Sequence, residues 1–293
     1  MSTKTHIRIG TRGSDLALWQ AHFVKGQLEA LNCEVELKII VTQGDRIQDL
    51  SFDKLEGKGF FTKEIENALL NNEIDLAVHS HKDLETSQPE GLCIAAVSYR
   101  EDPSELLLMQ ASAQDESQLW GLKLGATIGT SSARRKAIIR ALRPDLNIEE
   151  LRGNVPTRID KLRAGNYDAI LLANAGVSRL QLDLSDLQTL VLDPTAFVPA
   201  PAQGVLGLQV RSADQQTQQV LSQLNHPEVA AKIALERGVL QAMDGGCQLP
   251  LGVYYGPHAI FVAHSKSAAL PAQFYQFEHS TSIEAITTVL QDA

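Results

Sequence analysis

The sequence has few cysteines, no long apolar run and a deficit of positive charge. Its three cysteines, Cys33, Cys93 and Cys247, are odd in number and widely spaced, so no disulfide framework is expected. A reducing, cytoplasmic location is the corresponding expectation. No apolar stretch approaches the roughly 20 residues that cross a bilayer. The N-terminal Met1-Ser2-Thr3-Lys4-Thr5-His6 reaches a strand-like segment without an apolar signal core. The formal net charge is −9. Nucleic acid and anionic membranes both reward a basic surface, so neither is an expected partner. No histidine–acid or cysteine spacing suits a metal. No repeat or low-complexity stretch stands out.

What is present is an ordinary globular mixture, 44% hydrophobic and 21% charged, in a chain long enough for two or three domains. Helical and strand periodicities alternate, which predicts an α/β fold with a largely parallel sheet covered by helices. Ile7-Arg8-Ile9 reads as a first strand, and Ser14 is placed to cap the helix that follows. Residues 35–41 read as a strand, 62–70 as a helix, and 74–78 as a buried strand running into His79-Ser80-His81-Lys82-Asp83. Residues at the carboxyl ends of parallel strands line the ligand crevice of such sheets. The pattern restarts near Asp102-Pro103, with strands at 124–128, 147–151 and 167–172 and helices opening at Ser132 and Asn154. The proline- and alanine-rich stretch 194–203 reads as a crossing linker, and 205–210 as a strand returning to the first unit. Two helices follow, 214–224 and 227–243, and after Gly245-Gly246-Cys247 three alternating strands and a short last helix form a small α+β tail.

Between Arg134 and Arg179 stand ten basic residues against five acids, a local charge of +5 inside an acidic protein. Guanidinium groups match carboxylates and phosphates in a planar fork. Arg140, Arg143 and Arg163 read as a solvated helix face. Arg134, Arg135, Arg152 and Arg158 sit at strand ends and helix starts, where backbone N–H groups also attract anions. Gly129-Thr130-Ser131-Ser132-Ala133-Arg134-Arg135 joins three hydroxyls, a helix start and two guanidiniums. By itself Thr-Ser-Ser is a common helix cap, and the paired arginines favour an anion site. It lacks the Gly-Lys-Ser/Thr ending of a P-loop.

Asp83 after its strand is either half of a surface ion pair or an acid that stabilises a developing cation and handles a proton. The histidines beside it read as structural or solvated. Residues 44–59, polar and with glycines near both ends, read either as a surface loop or as a lid, with Lys58 and Lys63 as its anion contacts. Cys33 and Cys93 read as small buried hydrophobes. Cys247 follows Gly245-Gly246, where the backbone can approach a neighbour closely, and its thiol is a candidate point of covalent attachment.

These blocks, in this order, resemble one family. They are Ile9-Gly10-Thr11-Arg12-Gly13-Ser14; Gly57-Lys58-Gly59-Phe60-Phe61; Ala77-Val78-His79-Ser80 with Lys82-Asp83; Gly129 to Arg135; Leu151-Arg152-Gly153-Asn154-Val155 with Thr157-Arg158; Asp168 to Ala173 with Ala175-Gly176; Pro199-Ala200 with Gln203-Gly204; and Gly245-Gly246-Cys247-Gln248. The chain is similar to hydroxymethylbilane synthase, or porphobilinogen deaminase, from Ile7 to about Gly252. The resemblance implies two periplasmic-binding-protein-like lobes, 1–101 with 201–222 and 102–200, and a C-terminal α+β domain, 223–293. It implies a dipyrromethane cofactor held by a thioether on Cys247 and serving as primer. Four porphobilinogens add stepwise with loss of ammonia, and hydrolysis then releases the linear tetrapyrrole. Asp83 takes the catalytic role. Lys82, Asp83, Thr130, Ser131, Ser132, Arg134, Arg135 and Arg152 hold the cofactor. Arg12, Ser14, Lys58, Arg152, Arg158, Arg179 and Gln203 hold substrate carboxylates. A cytoplasmic monomer with a small-molecule substrate and no metal is implied.

The sequence departs from the family pattern at His81, Leu84, Glu85, Ser104 and Ala133, and its tail is somewhat short. These departures bear on loop rigidity and on the third domain, and spare Asp83, the arginine pair and Cys247. The alternative reading is a non-catalytic two-lobe polycarboxylate-binding or sensor protein, since one fold serves many functions.

Overall fold

The computed structural model describes residues 4–46, 62–246 and 248–292. Its strands are β1 (His6–Thr11), β2 (Glu34–Ile39), β3 (Leu76–Ser80), β4 (Leu92–Val97), β5 (Glu105–Met109), β6 (Thr127–Gly129), β7 (Asn147–Glu149), β8 (Ala169–Ala173), β9 (Gln188–Leu192), β10 (Leu206–Arg211), β11 (Leu251–Tyr255), β12 (Ile260–His264) and β13 (Gln273–Phe277). Its helices are α1 (Asp15–Ala30), α2 (Gln43–Arg46), α3 (Lys63–Leu70), α4 (Ala133–Leu142), α5 (Val155–Arg163), α6 (Asn174–Leu180), α7 (Gln215–Leu221), α8 (Pro227–Ala242) and α9 (Ile283–Asp292). The chain folds as two compact units, Met1–Glu101 with Val205–Lys232, and Asp102–Gly204 with Ile233–Ala293.

The first unit holds a five-stranded sheet in the order β2-β1-β3-β10-β4. The parallel run β2-β1-β3 agrees with the alternating strand and helix periodicities. β10 is antiparallel to both its neighbours, and β4 lies at the sheet edge. Leu206 to Val210 is buried throughout, as expected of a strand covered on both faces. Gly207 allows close packing there, because a Cβ would lie 3.2 Å from Leu84 and 3.3 Å from His81, tighter than ordinary contact. That close approach seats the turn following β3 against β10. Ile7, Ile9 and Leu76 of the sheet are fully buried in one cluster with Leu28 of α1 and Leu221 of α7, and truncating such a side chain typically costs about 2–5 kcal/mol.

The second unit carries the sheet β7-β6-β8-β5-β9 and a three-stranded antiparallel sheet β11-β12-β13. β6 is parallel to β7 and β8, while β5 is antiparallel to β8 and β9. In each five-stranded sheet a single strand, β10 or β5, runs against the other four, so the largely parallel sheet predicted from the sequence holds with one reversed strand per lobe. α8 and α9 cover the small sheet through Val239, Leu240, Ile286 and Leu290. Two sheet-and-helix lobes with a small C-terminal sheet are the architecture that the sequence predicts.

The stretch 194–203 corrects its reading as a linker. Phe197 to Pro199 and Pro201 to Gly204 are buried, and Phe197 and Val198 belong to a core cluster with Ala263 and Ala272. Gly252 brings β11 against this segment, since a Cβ there would lie 2.6 Å from Val198 O and 3.0 Å from Pro199 O. Among the described residues, no helix is long and apolar enough to cross a membrane, and no group of three or more His, Cys, Asp or Glu is placed to hold a metal.

Candidate active site

In the first unit the expected residues lie at two strand ends. Thr11 closes β1, and its hydroxyl donates to Ala17 O at 3.1 Å, which turns the chain into α1. Arg12 follows, half-buried. Ser14 stands at the N-cap in extended backbone, but its hydroxyl makes no capping bond, so the predicted cap is positional only. His81, Lys82 and Asp83 form one 3-10 turn after β3. The His81 N–H donates to Val205 O at 2.9 Å, and the Leu84 N–H donates to His81 O. This bracing leaves Asp83 exposed and Lys82 half-buried. Beneath them His79 is buried, with Nε2 3.1 Å from Gln209 Oε1. Burial and the charge of Arg12 push its imidazole down to about 4, against the opposing effect of the Gln209 hydrogen bond. His79 is thus neutral and structural, in line with its sequence reading.

In the second unit the loop after β6 is occupied by its own contacts. The Ser131 hydroxyl donates to Leu151 O at 2.8 Å and accepts from the Leu151 N–H at 3.1 Å. Ser132 caps α4 by accepting from the Arg135 N–H. Thr130 is buried, and its hydroxyl accepts from the Ser132 N–H. The hydroxyls thus shape the loop, as the helix-cap reading has it, and two guanidiniums follow them at the start of α4.

Arg134 and Arg135 begin α4 and are both buried, with side chains 6% and 7% exposed. Arg134 Nη2 lies 2.5 Å from Glu105 Oε1, and Arg135 Nη2 lies 2.6 Å from Glu105 Oε2. Their Nη1 groups donate to Val198 O and Leu171 O. Arg135 Nε is buried without a hydrogen-bond partner among the described residues. Burial pushes the Arg134 guanidinium below its usual basicity, the Glu105 carboxylate opposes this, and Arg135 adds to it. Little in the sequence singles out Glu105. Its only sequence signal is an acid at the head of the apolar run Leu106 to Met109, and its partners lie 29 and 30 residues away.

Arg152 is half-buried and precedes Gly153, whose φ of +115° suits glycine. Arg158 Nε donates to Gly153 O at 2.7 Å, and Asn154 caps α5. Arg179 and Gln203 are buried. Arg179 donates to Gly204 O, and the Gln203 amide donates to Pro103 O. The solvated-face reading fits Arg163, which bonds Asp186 near the surface, and fails for Arg143. Arg143 is buried and donates to the carbonyls of Leu119, Leu122 and Lys123 while pairing with Asp145. Its position at the C-cap of α4 turns the fork inward. Lys58 and Cys247 lie outside the described residues, as do 47–59 of the lid. Beside Cys247, Gly245 packs tightly, since a Cβ would lie 2.6 Å from Leu249 and 2.8 Å from Leu240.

Residues 7–219 match the sequence family described as "Porphobilinogen deaminase, dipyromethane cofactor binding domain". The chain belongs to the porphobilinogen deaminase family. The porphobilinogen deaminase of Trichlorobacter lovleyi is 46% identical over 250 residues, covering 85% of this chain and 78% of that one. That of Syntrophobacter fumaroxidans is 45% identical over 248 residues, covering 84% and 78%. A solved structure, the BenM effector binding domain with its effector benzoate, aligns with a TM-score of 0.45 and 17% identity over 76% of this chain and 92% of that chain. As a member of the family the chain is a transferase of tetrapyrrole biosynthesis, a hydroxymethylbilane synthase, and its cofactor is dipyrromethane.

The described residues fit that group. Its pyrrole rings bear acetate and propionate carboxylates, and two buried guanidiniums sharing one carboxylate retain a positive charge. The unpartnered Nε–H of Arg135 is one more donor of the right kind.

Proposed function

We propose that this chain builds hydroxymethylbilane from four porphobilinogens on a primer tethered to Cys247, as a cytoplasmic monomer that needs neither metal nor nucleic acid. The observation that carries the reading is the buried pair Arg134 and Arg135. It is a preorganised cationic site in a protein of net charge −9. The strand β11 supports the tether. Gly252 comes within 3.1 Å of Arg134 Cδ, measured from where its Cβ would stand. Five residues of chain, the separation of Cys247 from Gly252, reach at most about 18 Å.

When bound, dipyrromethane would supply the free ring carbon that takes the first porphobilinogen, and each later one would be taken by the ring at the end of the chain. Arg134 and Arg135 hold its carboxylates from the start of α4, with Lys82, Thr130, Ser131, Ser132 and Arg152 completing the set. Arg12, Ser14, Lys58, Arg158, Arg179 and Gln203 serve the carboxylates of substrate and of the lengthening chain. Asp83 offers a carboxylate to the pyrrole N–H of porphobilinogen. It stabilises the positive charge that develops as ammonia leaves, and it assists the proton transfers. Its exposed position on a turn braced by Val205 O suits that task. A series of anionic intermediates accounts for more arginines than one small substrate needs.

Substituting Asp83 separates catalysis from binding. In Asp83→Ala, ammonia release from porphobilinogen is expected to fall by about 100-fold or more, while the tethered cofactor remains detectable by mass. A polycarboxylate sensor would release no ammonia in either form and would keep its affinity in the variant. Wild-type turnover in Asp83→Ala would remove Asp83 from its role.

A further inference from the structure

We infer that Glu105 is a positioning residue for the cofactor site, one buried carboxylate setting both the spacing and the net charge of the Arg134–Arg135 pair. The inference rests on the reading that these two arginines hold dipyrromethane carboxylates. Glu105 is the first residue of β5 and is fully buried. Its backbone is fixed on both sides, opposite Ala173 of β8 and Leu192 of β9. Consecutive helical side chains diverge by about 100° around the axis, so Arg134 and Arg135 do not converge by themselves. The two oxygens of Glu105 draw one fork each, at 2.5 and 2.6 Å. Val198 O and Leu171 O fix the other ends. Each guanidinium is thus anchored at two points supplied by different elements.

Charge follows the same logic. Two buried guanidiniums without a counter-ion repel each other and resist desolvation, as the lowered basicity of Arg134 reflects. One shared carboxylate offsets half of their charge and leaves a fixed surplus of one. An incoming carboxylate then meets cations already oriented, and little reorganisation opposes binding. Glutamine has nearly the same shape but lacks the charge, and its amide nitrogen points a donor at one guanidinium. That arginine loses its acceptor and turns away.

The test uses the full-length protein as purified, with the fraction carrying the cofactor adduct read by intact mass. Leu107→Ala is the control. Leu107 is fully buried on the same strand, within the apolar cluster that packs around Ala137 and Ile138. The loaded fraction of Glu105→Gln is expected to fall about tenfold, as when a partner that orients a ligand group is removed. Leu107→Ala, lowered comparably in Tm, should load like wild type. Should Glu105→Gln not fold, Glu105→Asp serves instead. It keeps the charge but is one methylene short of spanning both forks, and a partial loss of loading is expected. Loading at the wild-type level in these Glu105 variants, beside a loss in Arg135→Leu, overturns the inference and leaves the cofactor reading standing. A loss in Leu107→Ala equal to that in Glu105→Gln also overturns it. Full loading of Arg135→Leu overturns the cofactor reading itself.

Discussion

Glu236 holds Ala202 by its backbone: Oε2 accepts the Ala202 N–H at 2.8 Å, and Oε1 of the same carboxylate accepts the Tyr255 N–H at 2.8 Å. Glu236 is fully buried in α8. One side chain therefore ties the helix leading to the Gly245-Gly246 turn both to β11 and to the buried crossing segment. The segment needs such a clamp, because Ala202 sits at φ +60°, a left-handed conformation unfavourable for alanine.

Glu236→Ala leaves the buried Ala202 N–H and the partly buried Tyr255 N–H without that acceptor. Each such loss costs about 1–3 kcal/mol. Denaturant unfolding is expected to show a combined destabilisation of about 2–5 kcal/mol. A change below about 1 kcal/mol would mean that water or a rearranged backbone replaces the carboxylate.

His79 gives the fold a pH dependence. Unfolded, its imidazole titrates near 6.5, and folded it is held down at about 4, chiefly by burial. Between those values the unfolded chain takes up a proton that the folded chain refuses. Stability is thus complete above about pH 6.5, declines as pH falls, and has lost this contribution near pH 4. The difference is about 3 kcal/mol. Unfolding free energies of wild type and His79→Asn, measured across that window, should diverge in slope. Parallel profiles would show that His79 is not buried and neutral.

Arg143 and Arg140 make a matched pair on one helix. Arg143→Ala leaves three carbonyls and the partly buried Asp145 without their guanidinium, and a loss of about 3–5 kcal/mol is expected. Arg140→Ala, at a half-buried position, is expected to cost about 1 kcal/mol or less. Equal effects in the two would contradict the assignment.

The contrast shows what was legible in the sequence. The strands and helices of the βα repeats were readable, because burial under helices imposes continuous apolar runs and because Ser132 and Asn154 mark helix starts. The strands β4, β5 and β9 were not singled out, since short apolar runs carry no period of their own. The arginine cluster was readable as a charge anomaly, but not its disposition. Part of the +5 is neutralised by carboxylates outside the stretch, Glu105 and Asp186, through contacts that only the fold creates. Composition marked 194–203 as a linker because proline and alanine are also common in solvated connections. Its burial depends on Gly252, about fifty positions away. Asp83 was legible as an acid at a strand end, and the bracing of its turn by Val205 O was not.

Cys247 is the point at which the account is most directly exposed. Intact mass of the purified chain should exceed the mass of its sequence by one dipyrromethane unit, and Cys247→Ser should abolish that excess together with turnover. An active protein whose mass equals that of its bare sequence would contradict the tethered primer and every role assigned around it.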